Sequence, residues 1–499
     1  MRLVFCLLIL LGTALVAGCV DRSEAPAPHI VVLIADDLGL DQAPCHSPNV
    51  RMPYLQSLCG QALVFDRAYT HPYCTASRAA LMTGRHPFRH GADDVRMQAP
   101  KLPLSEVTIA ELIKQHSDRG YRMAAFGKWH LADDENGSER NPNLQGFEHY
   151  EGTPRQKDTY RYTNFEWTEN GAPAGLIETY KTMFIMDRVI AYFRSIQTAE
   201  PVFSIVSFTS PHKPFHSPPE HLHSFGALPE QTLRGTRADQ VDRGEYRANR
   251  REPRLDVYYF AMLEALDIEI SRLVQTLEQD TDRPVLFVFL GDNGSAAEVF
   301  AAVDDERVRS KATVYDGGVR VPLMIWGEGV NGFRRSKRLV HLADLFPTLA
   351  EIAGVEGRYL DSDEQPIDGV SFRSEVDGFS SRFPSREFSF FERGNDAVLP
   401  FAFGAVDQAG LKLILRETVR QTNYSAGRLI EIYDTESDMF EAQNLFDTPC
   451  DMPGPRVLEL FEFIASKASQ NEAHSDWFDE EFYRVSILQA LNACVSRTD

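Results

Sequence analysis

Positive charge is in short supply in this 499-residue chain: 51 Lys and Arg stand against 72 Asp and Glu, a formal net charge of -21. No general basic face is left for a phosphate backbone, so a nucleic-acid binder is excluded as the default reading. A local cationic pocket for a small anion remains compatible with an acidic whole. Long apolar runs are missing too. The one near the N-terminus, Leu3 to Leu11, breaks at Gly12-Thr13, short of the roughly 20 residues that a membrane span needs. Internal repeats and long low-complexity tracts are absent, and cysteines number only seven. What is present, 43% hydrophobic and 25% charged residues, is ordinary globular composition. The length suits one large domain with an appendage, or two to three smaller ones.

The N-terminus has the pattern of an export signal. Arg2 precedes the short apolar run, and small residues follow at Ala17-Gly18. Residues 1–18 are therefore expected to be a signal peptide. Val16-Ala17-Gly18-Cys19 resembles the bacterial lipobox, which implies a lipoprotein attached to a membrane through a lipid on Cys19. Residues 19–28, polar and Pro-rich, read as a tether. The expected location is the periplasm, or the outer membrane or cell surface, of a Gram-negative bacterium. Cys6 would leave with the signal. Apart from Cys74, that leaves Cys45, Cys59, Cys450 and Cys494. Four cysteines allow three pairings, and Cys45–Cys59 with Cys450–Cys494 is the expected one.

Four segments are short, strongly apolar and followed by a polar cluster. Residues 29–35 run into Asp36-Asp37, and 122–127 run into Lys128-Trp129-His130. Residues 202–208 run into Ser210-Pro211-His212, and 285–290 into Gly291-Asp292-Asn293-Gly294. Runs of this kind suit strands buried on both faces of a parallel sheet. Between the last two, Leu263, Leu266, Ile270, Leu273 and Leu277 are spaced three and four apart, which predicts a helix. Strands alternating with helices indicate an α/β fold, whose ligands bind beyond the carboxyl ends of the strands. The four polar clusters lie at that end. The stretch 131–175 has no clear periodicity and reads as loops. After about residue 385, short runs at 386–392, 401–406, 411–415 and 429–434 predict an antiparallel meander. Helices are predicted at 455–467 and 484–494. The expected domains are thus 29–385 and 386–499.

Cys74-Thr75-Ala76-Ser77-Arg78, with Ala79 through Arg85, closely resembles the signature of the type I, formylglycine-dependent sulfatases of the alkaline phosphatase superfamily. Gly120 through His130 resembles the second signature of that family. Asp36-Asp37, Asp292-Asn293-Gly294, and Lys311 before Tyr315-Asp316-Gly317-Gly318-Val319-Arg320-Val321-Pro322 match in order. A weaker match runs from Tyr433-Asp434 to Asn444-Leu445. Ala76 departs from the commonest version, which has Pro there; both versions occur in the family.

The resemblance implies an alkaline-phosphatase-like fold: a central mixed, mostly parallel sheet flanked by helices, with a small C-terminal α+β subdomain carrying an antiparallel sheet. It implies hydrolysis of a sulfate ester, here of a sulfated carbohydrate, to an alcohol and inorganic sulfate. A maturation enzyme would oxidise Cys74 to formylglycine (3-oxoalanine), whose hydrate attacks sulfur to give a covalent sulfo-enzyme. Asp36, Asp37, Asp292 and Asn293 are hard oxygen donors, a set that suits calcium or magnesium rather than zinc. By resemblance they hold one Ca2+, with the diol of residue 74 completing the site. Arg78 and Lys128 match residues that bond the diol oxygens. His130 matches the residue that takes a proton when the intermediate collapses. His212 and Lys311 match the pair that contacts sulfate and protonates the leaving oxygen. Two other readings stay open: a phosphate mono- or diester hydrolase of the same superfamily, and a catalytically dead lipoprotein that binds sulfated glycans. Seven arginines between Arg234 and Arg254 either form a solvated segment or grip an extended polyanion.

Overall fold

The computed structural model describes residues 26–48, 50–92, 101–155, 161–196, 200–228, 232–233, 255–299, 309–360, 365–378, 384–394, 401–417, 428–470 and 478–495. The signal, Cys19, the start of the tether and the arginine-rich segment lie outside the described residues.

The four apolar runs become four adjacent parallel strands, Val285–Gly291, His29–Ala35, Val202–Ser207 and Arg122–Lys128, in that spatial order. Alternation along His29–Ala35 sends Ile30, Val32 and Ile34 into one hydrophobic core and Val31, Leu33 and Ala35 into the other. Each such buried aliphatic side chain contributes roughly 1.5–3 kcal/mol, which is why no polar residue interrupts the run from Ile30 to Ala35. The helix Leu255–Asp280 buries Leu263, Leu266, Ile270, Leu273 and Leu277 as its spacing predicts. With Lys181–Ser195 it covers one face of the sheet. Cys74–Thr83, Ile109–His116 and Leu345–Ile352 cover the other.

The sheet is wider than the four runs. Antiparallel Leu323–Gly327 joins beside Val285–Gly291, followed by Leu63–Phe65 and Arg334–Ser336. On the other side His149–Thr153 adds parallel to Arg122–Lys128, and a hairpin, Phe165–Glu169 with Ala172–Ile177, completes ten strands. These last three strands correct the reading of 131–175 as loops. Tyr150, Phe165 and Trp167 are buried against the sheet and its helices, and the hairpin turns at Asn170 (φ 49°) and Gly171 (φ 81°), the positive-φ pair that a tight two-residue turn requires.

The C-terminal meander forms as expected. Phe388–Arg393, Ala402–Asp407, Leu411–Glu417 and Arg428–Asp434 pair antiparallel in chain order. The helices Gly454–Ala468 and Glu480–Val495 occupy the predicted stretches, and Gly454–Ala468 packs on one face of this sheet. Cys45 and Cys59 are joined by a disulfide. Cys450 is also disulfide-bonded, while the side chain of Cys494 lies outside the described residues.

Gly127, the residue before Lys128, has φ +84°, and a Cβ built there would lie 2.0 Å from the backbone oxygen of Ser207 on the neighbouring strand. Gly127→Ala therefore combines backbone strain with a main-chain clash. It is expected to destabilise the protein by about 2–4 kcal/mol, read as a lower midpoint in denaturant unfolding at unchanged slope.

Candidate active site

Strand ends deliver the chemistry to one place. Asp36 and Asp37 leave the central strand, Lys128 ends the strand two positions away, and Asp292-Asn293 leave the strand on the other side. Cys74 opens the helix Cys74–Thr83, and Arg78, one turn on, points from the same helix face. Asp37 and His130 both hold positive φ, 66° and 67°, an uncommon conformation for residues other than glycine that concentrates at functional positions.

Side chains from at least four segments meet around Cys74. Its Sγ lies 3.3 Å from Asp36 Oδ1, 3.9 Å from Asp37 Oδ1 and 3.3 Å from Lys311 Nζ. Lys128 Nζ pairs with Asp36 Oδ2 at 2.5 Å, and Lys311 Nζ contacts Asp37 Oδ1. Arg78 donates to Asp292 Oδ2 through Nε (3.0 Å), to the Lys128 backbone oxygen (2.9 Å) and to Ser207 Oγ. Asn293 Nδ2 donates to Asp37 Oδ1 at 2.8 Å, and the Asp37 backbone N–H donates to Asp292 Oδ1 at 3.2 Å. His212 Nε2 lies 3.7 Å from Asp37 Oδ2, with its Nδ1 against the Lys213 carbonyl. All ten predicted site residues lie in this cluster or border it. His130 is the one without a partner: both of its ring nitrogens are buried with no hydrogen bond among the described residues.

Burial and charge set the protonation states. Burial pushes the Cys74 thiol well up, and Asp292 and Asp36 push it further, so the unmodified side chain stays a thiol and is a poor nucleophile. Burial also raises Asp37, but His212 and Lys311 outweigh it and hold the carboxylate ionised. Asp292 is raised by burial and then by Asp36, against the pull of Arg78 and Lys128. Lys128 and Lys311 are raised despite burial, Lys128 chiefly by Asp36 and Lys311 chiefly by Asp37. Burial, followed by Lys128, Lys101 and Arg78, drives His130 far down. His212 is pushed down to about 3, by burial first and then by Lys311 and Lys128 against Asp37. Burial thus disfavours the charged form of both imidazoles within a strongly charged pocket.

The donor set fits a hard divalent cation. Asp36 and Asp37 place carboxylate oxygens within 4.8 Å of each other and of ligand atoms of Cys74 and His212, and the oxygens are the hard donors of that group. Asp37 Oδ2 and Asn293 Oδ1 are buried with no hydrogen-bond partner among the described residues, and an oxygen left unpaired in a dry pocket is costly unless something binds it.

Two supporting residues escaped sequence reasoning. Ser207 ends the strand Val202–Ser207, and a buried hydroxyl at the carboxyl end of a mostly apolar run was the signal. Tyr162, in the stretch read as loops, sets its hydroxyl 2.7 Å and 2.8 Å from the carbonyls of Thr209 and His212 and so braces the turn that carries His212.

A family model described as Sulfatase matches residues 28–355, well over half of the chain. Arylsulfatase J of Mus musculus is 26% identical over 374 residues, covering 71% of this chain and 56% of that protein. The ulvan-active sulfatase of Formosa agariphila is 26% identical over 345 residues, covering 67% and 63%. The arylsulfatase of Klebsiella aerogenes is 24% identical over 423 residues, covering 68% and 90%. The chain thus spans less than two thirds of the first two relatives and most of the third. Among solved structures, that of Ps i-CgsB in complex with k-i-k-neocarrahexaose superposes with a TM-score of 0.67 at 20% identity, covering 93% of this chain and 97% of that one. The structure of BT4656 in complex with D-glucosamine-2-N,6-O-disulfate gives 0.67 at 19% identity, covering 91% and 99%. At those identities the likeness speaks for the fold, while the family-model match reaches across the whole cluster from Asp36 to Lys311: this chain belongs to the sulfatase family.

Proposed function

We propose that this protein hydrolyses sulfate monoesters of a carbohydrate, with Cys74 in its formylglycine form as nucleophile. The observation that carries the reading is the convergence on one buried cysteine of three carboxylates, Asn293 and the cations Arg78, Lys128 and Lys311. A sulfate monoester is an anion with a poor leaving group, so its site must neutralise charge, supply a nucleophile and protonate the departing oxygen. The raised thiol of Cys74 argues that the unmodified residue is not the working species. Formylglycine supplies, as its hydrate, one hydroxyl to attack sulfur and a second to expel sulfate.

Asp36, Asp37, Asp292 and Asn293 would hold a calcium ion, which supplies Lewis-acid stabilisation of a sulfate oxygen. The side chains do the rest. Arg78 and Lys128 keep positive charge beside residue 74 and favour an ionised oxygen there. His130, whose ring nitrogens have no hydrogen-bond partner among the described residues, accepts the proton released when sulfate departs. His212 and Lys311, both against Asp37, bind sulfate, and the charged Lys311 delivers the proton that the leaving alcohol needs. Carbohydrate as the alcohol is supported by the relative named for ulvan and by the two fold neighbours solved with saccharides. The proposal includes export and lipid attachment at Cys19 to a Gram-negative envelope. On that reading Cys19→Ser moves the protein from the membrane to the soluble fraction, and an unchanged distribution would refute the anchor.

Mass spectrometry of the tryptic peptide Ala68–Arg78, from protein made in a host with a maturation system, should find the aldehyde at residue 74. An unmodified thiol there would move the phosphatase and glycan-binding readings to the front. Cys74→Ser, with no second hydroxyl, is expected to lose sustained turnover and to accumulate a sulfated enzyme; normal turnover would end the formylglycine reading. Calcium at a hundredfold excess over its Kd should stabilise the protein by about 2.7 kcal/mol. Asn293→Ala should shrink that gain, and a calcium-independent unfolding midpoint would contradict the assignment.

A further inference from the structure

Lys311 sits in a segment with little regular structure of its own; among its residues only the short helix Asp316–Val319 is regular. The segment is built into the site at several points. Lys311 N donates to Ser295 O at 3.0 Å, and Gly294 N donates to Gly318 O at 2.9 Å. The fit at the second point is so close that a Cβ on Gly294 would lie 1.8 Å from Gly317 O. Whatever holds residues 309–320 therefore places both the Lys311 ammonium and the Asp292-Asn293 turn.

Backbone bonds from Ala312 N to Pro72 O (3.0 Å) and from Thr70 N to Val319 O (2.8 Å) hold that segment from the site's side, and the C-terminal sheet holds the other. Lys412, on the strand Leu411–Glu417, is 0% exposed. Its neighbours Leu411, Leu413 and Leu415 face the C-terminal helices, whereas Ile414, which shares its face, packs against Val314, Tyr315 and Val319 of the Lys311 segment. Lys412 Nζ pairs with Asp316 Oδ1 and with Glu441 Oε1, both at 2.7 Å. Glu441 Oε2 accepts from the Asp316 backbone N–H at 2.6 Å. Arg320 Nη1 pairs with Asp316 Oδ2 at 3.1 Å. Around this knot Tyr315 Oη bonds Glu431 Oε2 at 2.7 Å, Arg393 Nη1 donates to Ala312 O at 3.2 Å, and Arg309 Nη1 donates to Phe440 O at 2.7 Å. A fully buried ammonium needs paired charge to stay buried, so Lys412 and Asp316 lock each other's place.

We propose that Lys412, with Glu441, is a positioning residue for the reaction: it fixes Asp316 and through it the segment that aims Lys311 at the sulfate ester. Neither residue touches the pocket. The inference rests on the reading above in which Lys311 serves the leaving oxygen.

The experiment compares kcat/KM on para-nitrophenyl sulfate, whose leaving group departs readily, and on phenyl sulfate, whose leaving group needs its proton more. It uses the full matured enzyme and the variants Lys311→Ala, Lys412→Met and the double variant. A general acid supplies ~10²–10⁴-fold, so the Lys412→Met loss should be about tenfold greater on phenyl sulfate than on the nitro compound. The double variant should be no slower than Lys311→Ala alone, because both changes remove one function. Should Lys412→Met fail to fold, Glu441→Gln carries the same comparison; it keeps the length and the oxygen that accepts from Asp316 while weakening the ion pair. Equal losses on the two substrates, or additive losses in the double variant, would show a merely structural role and overturn the proposal. A Lys311→Ala variant that itself treats both substrates alike would instead sink the role given to Lys311, and the proposal with it.

Discussion

Three carboxylates buried side by side are the constraint on which this molecule turns. Asp36, Asp37 and Asp292 lie within the same few ångströms, each at most 1% exposed. Burying one unpaired charge costs several kcal/mol, and three of one sign would repel one another out of the fold. Lys128, Lys311 and Arg78 stand against them, each from a different segment and each in contact with its own acid. Neutralisation of this kind works only if the strands are parallel and adjacent, so that their carboxyl ends open on one place. The apolar alternation within the strands secures that arrangement. It leaves a pocket in which three acids and three cations are paired one to one.

The same constraint explains why the C-terminal part is more than an appendage. The segment that brings Lys311 to Asp37 has little regular structure of its own; backbone bonds to Pro72, Thr70, Ser295 and Gly294 tie one side of it to the site, and its other side needs support from outside. The antiparallel sheet supplies it with a two-sided construction. One face is largely apolar and packs on its own helices, while the other mixes Phe391, Ile414 and Tyr433 with the buried Lys412. A second knot of opposite charges, Lys412 and Arg320 with Asp316 and Glu441, thus sits one layer behind the first. Burial raises Glu441 to about 7, with Asp316 adding to the rise and Lys412 opposing it.

Much of the fold was legible because its signals are local. Six consecutive apolar residues, Ile30 to Ala35, ending in Asp36-Asp37 suit a strand with two covered faces, and the five leucine and isoleucine positions of Leu255–Asp280 repeat with the helical period. The stretch 131–175 was misread for an equally physical reason. Its strands are short and its edge strand, Ala172–Ile177, is almost wholly exposed, so no apolar alternation marks it. The Asn170-Gly171 turn was the available clue. Lys412 was opaque in another way. In an alternating run, a lysine between leucines reads as the solvent face, and only the packing of a second layer turns that face inward.

By itself the sequence determined which chemical groups the chain can present and where each stands relative to its strand, because hydrophobic period and strand termination are properties of neighbouring residues. It also placed Cys74, Arg78, Lys128 and the Asp292-Asn293 pair in recognisable local patterns. Which cation neutralises which acid was decided only by the tertiary structure. Lys311 with Asp37, Arg78 with Asp292 and Lys412 with Asp316 join residues from roughly a hundred to nearly three hundred positions apart. No local pattern encodes such pairs. They exist because the folded chain excludes water from charges that would otherwise be solvated singly, and exclusion is a property of the whole packed body.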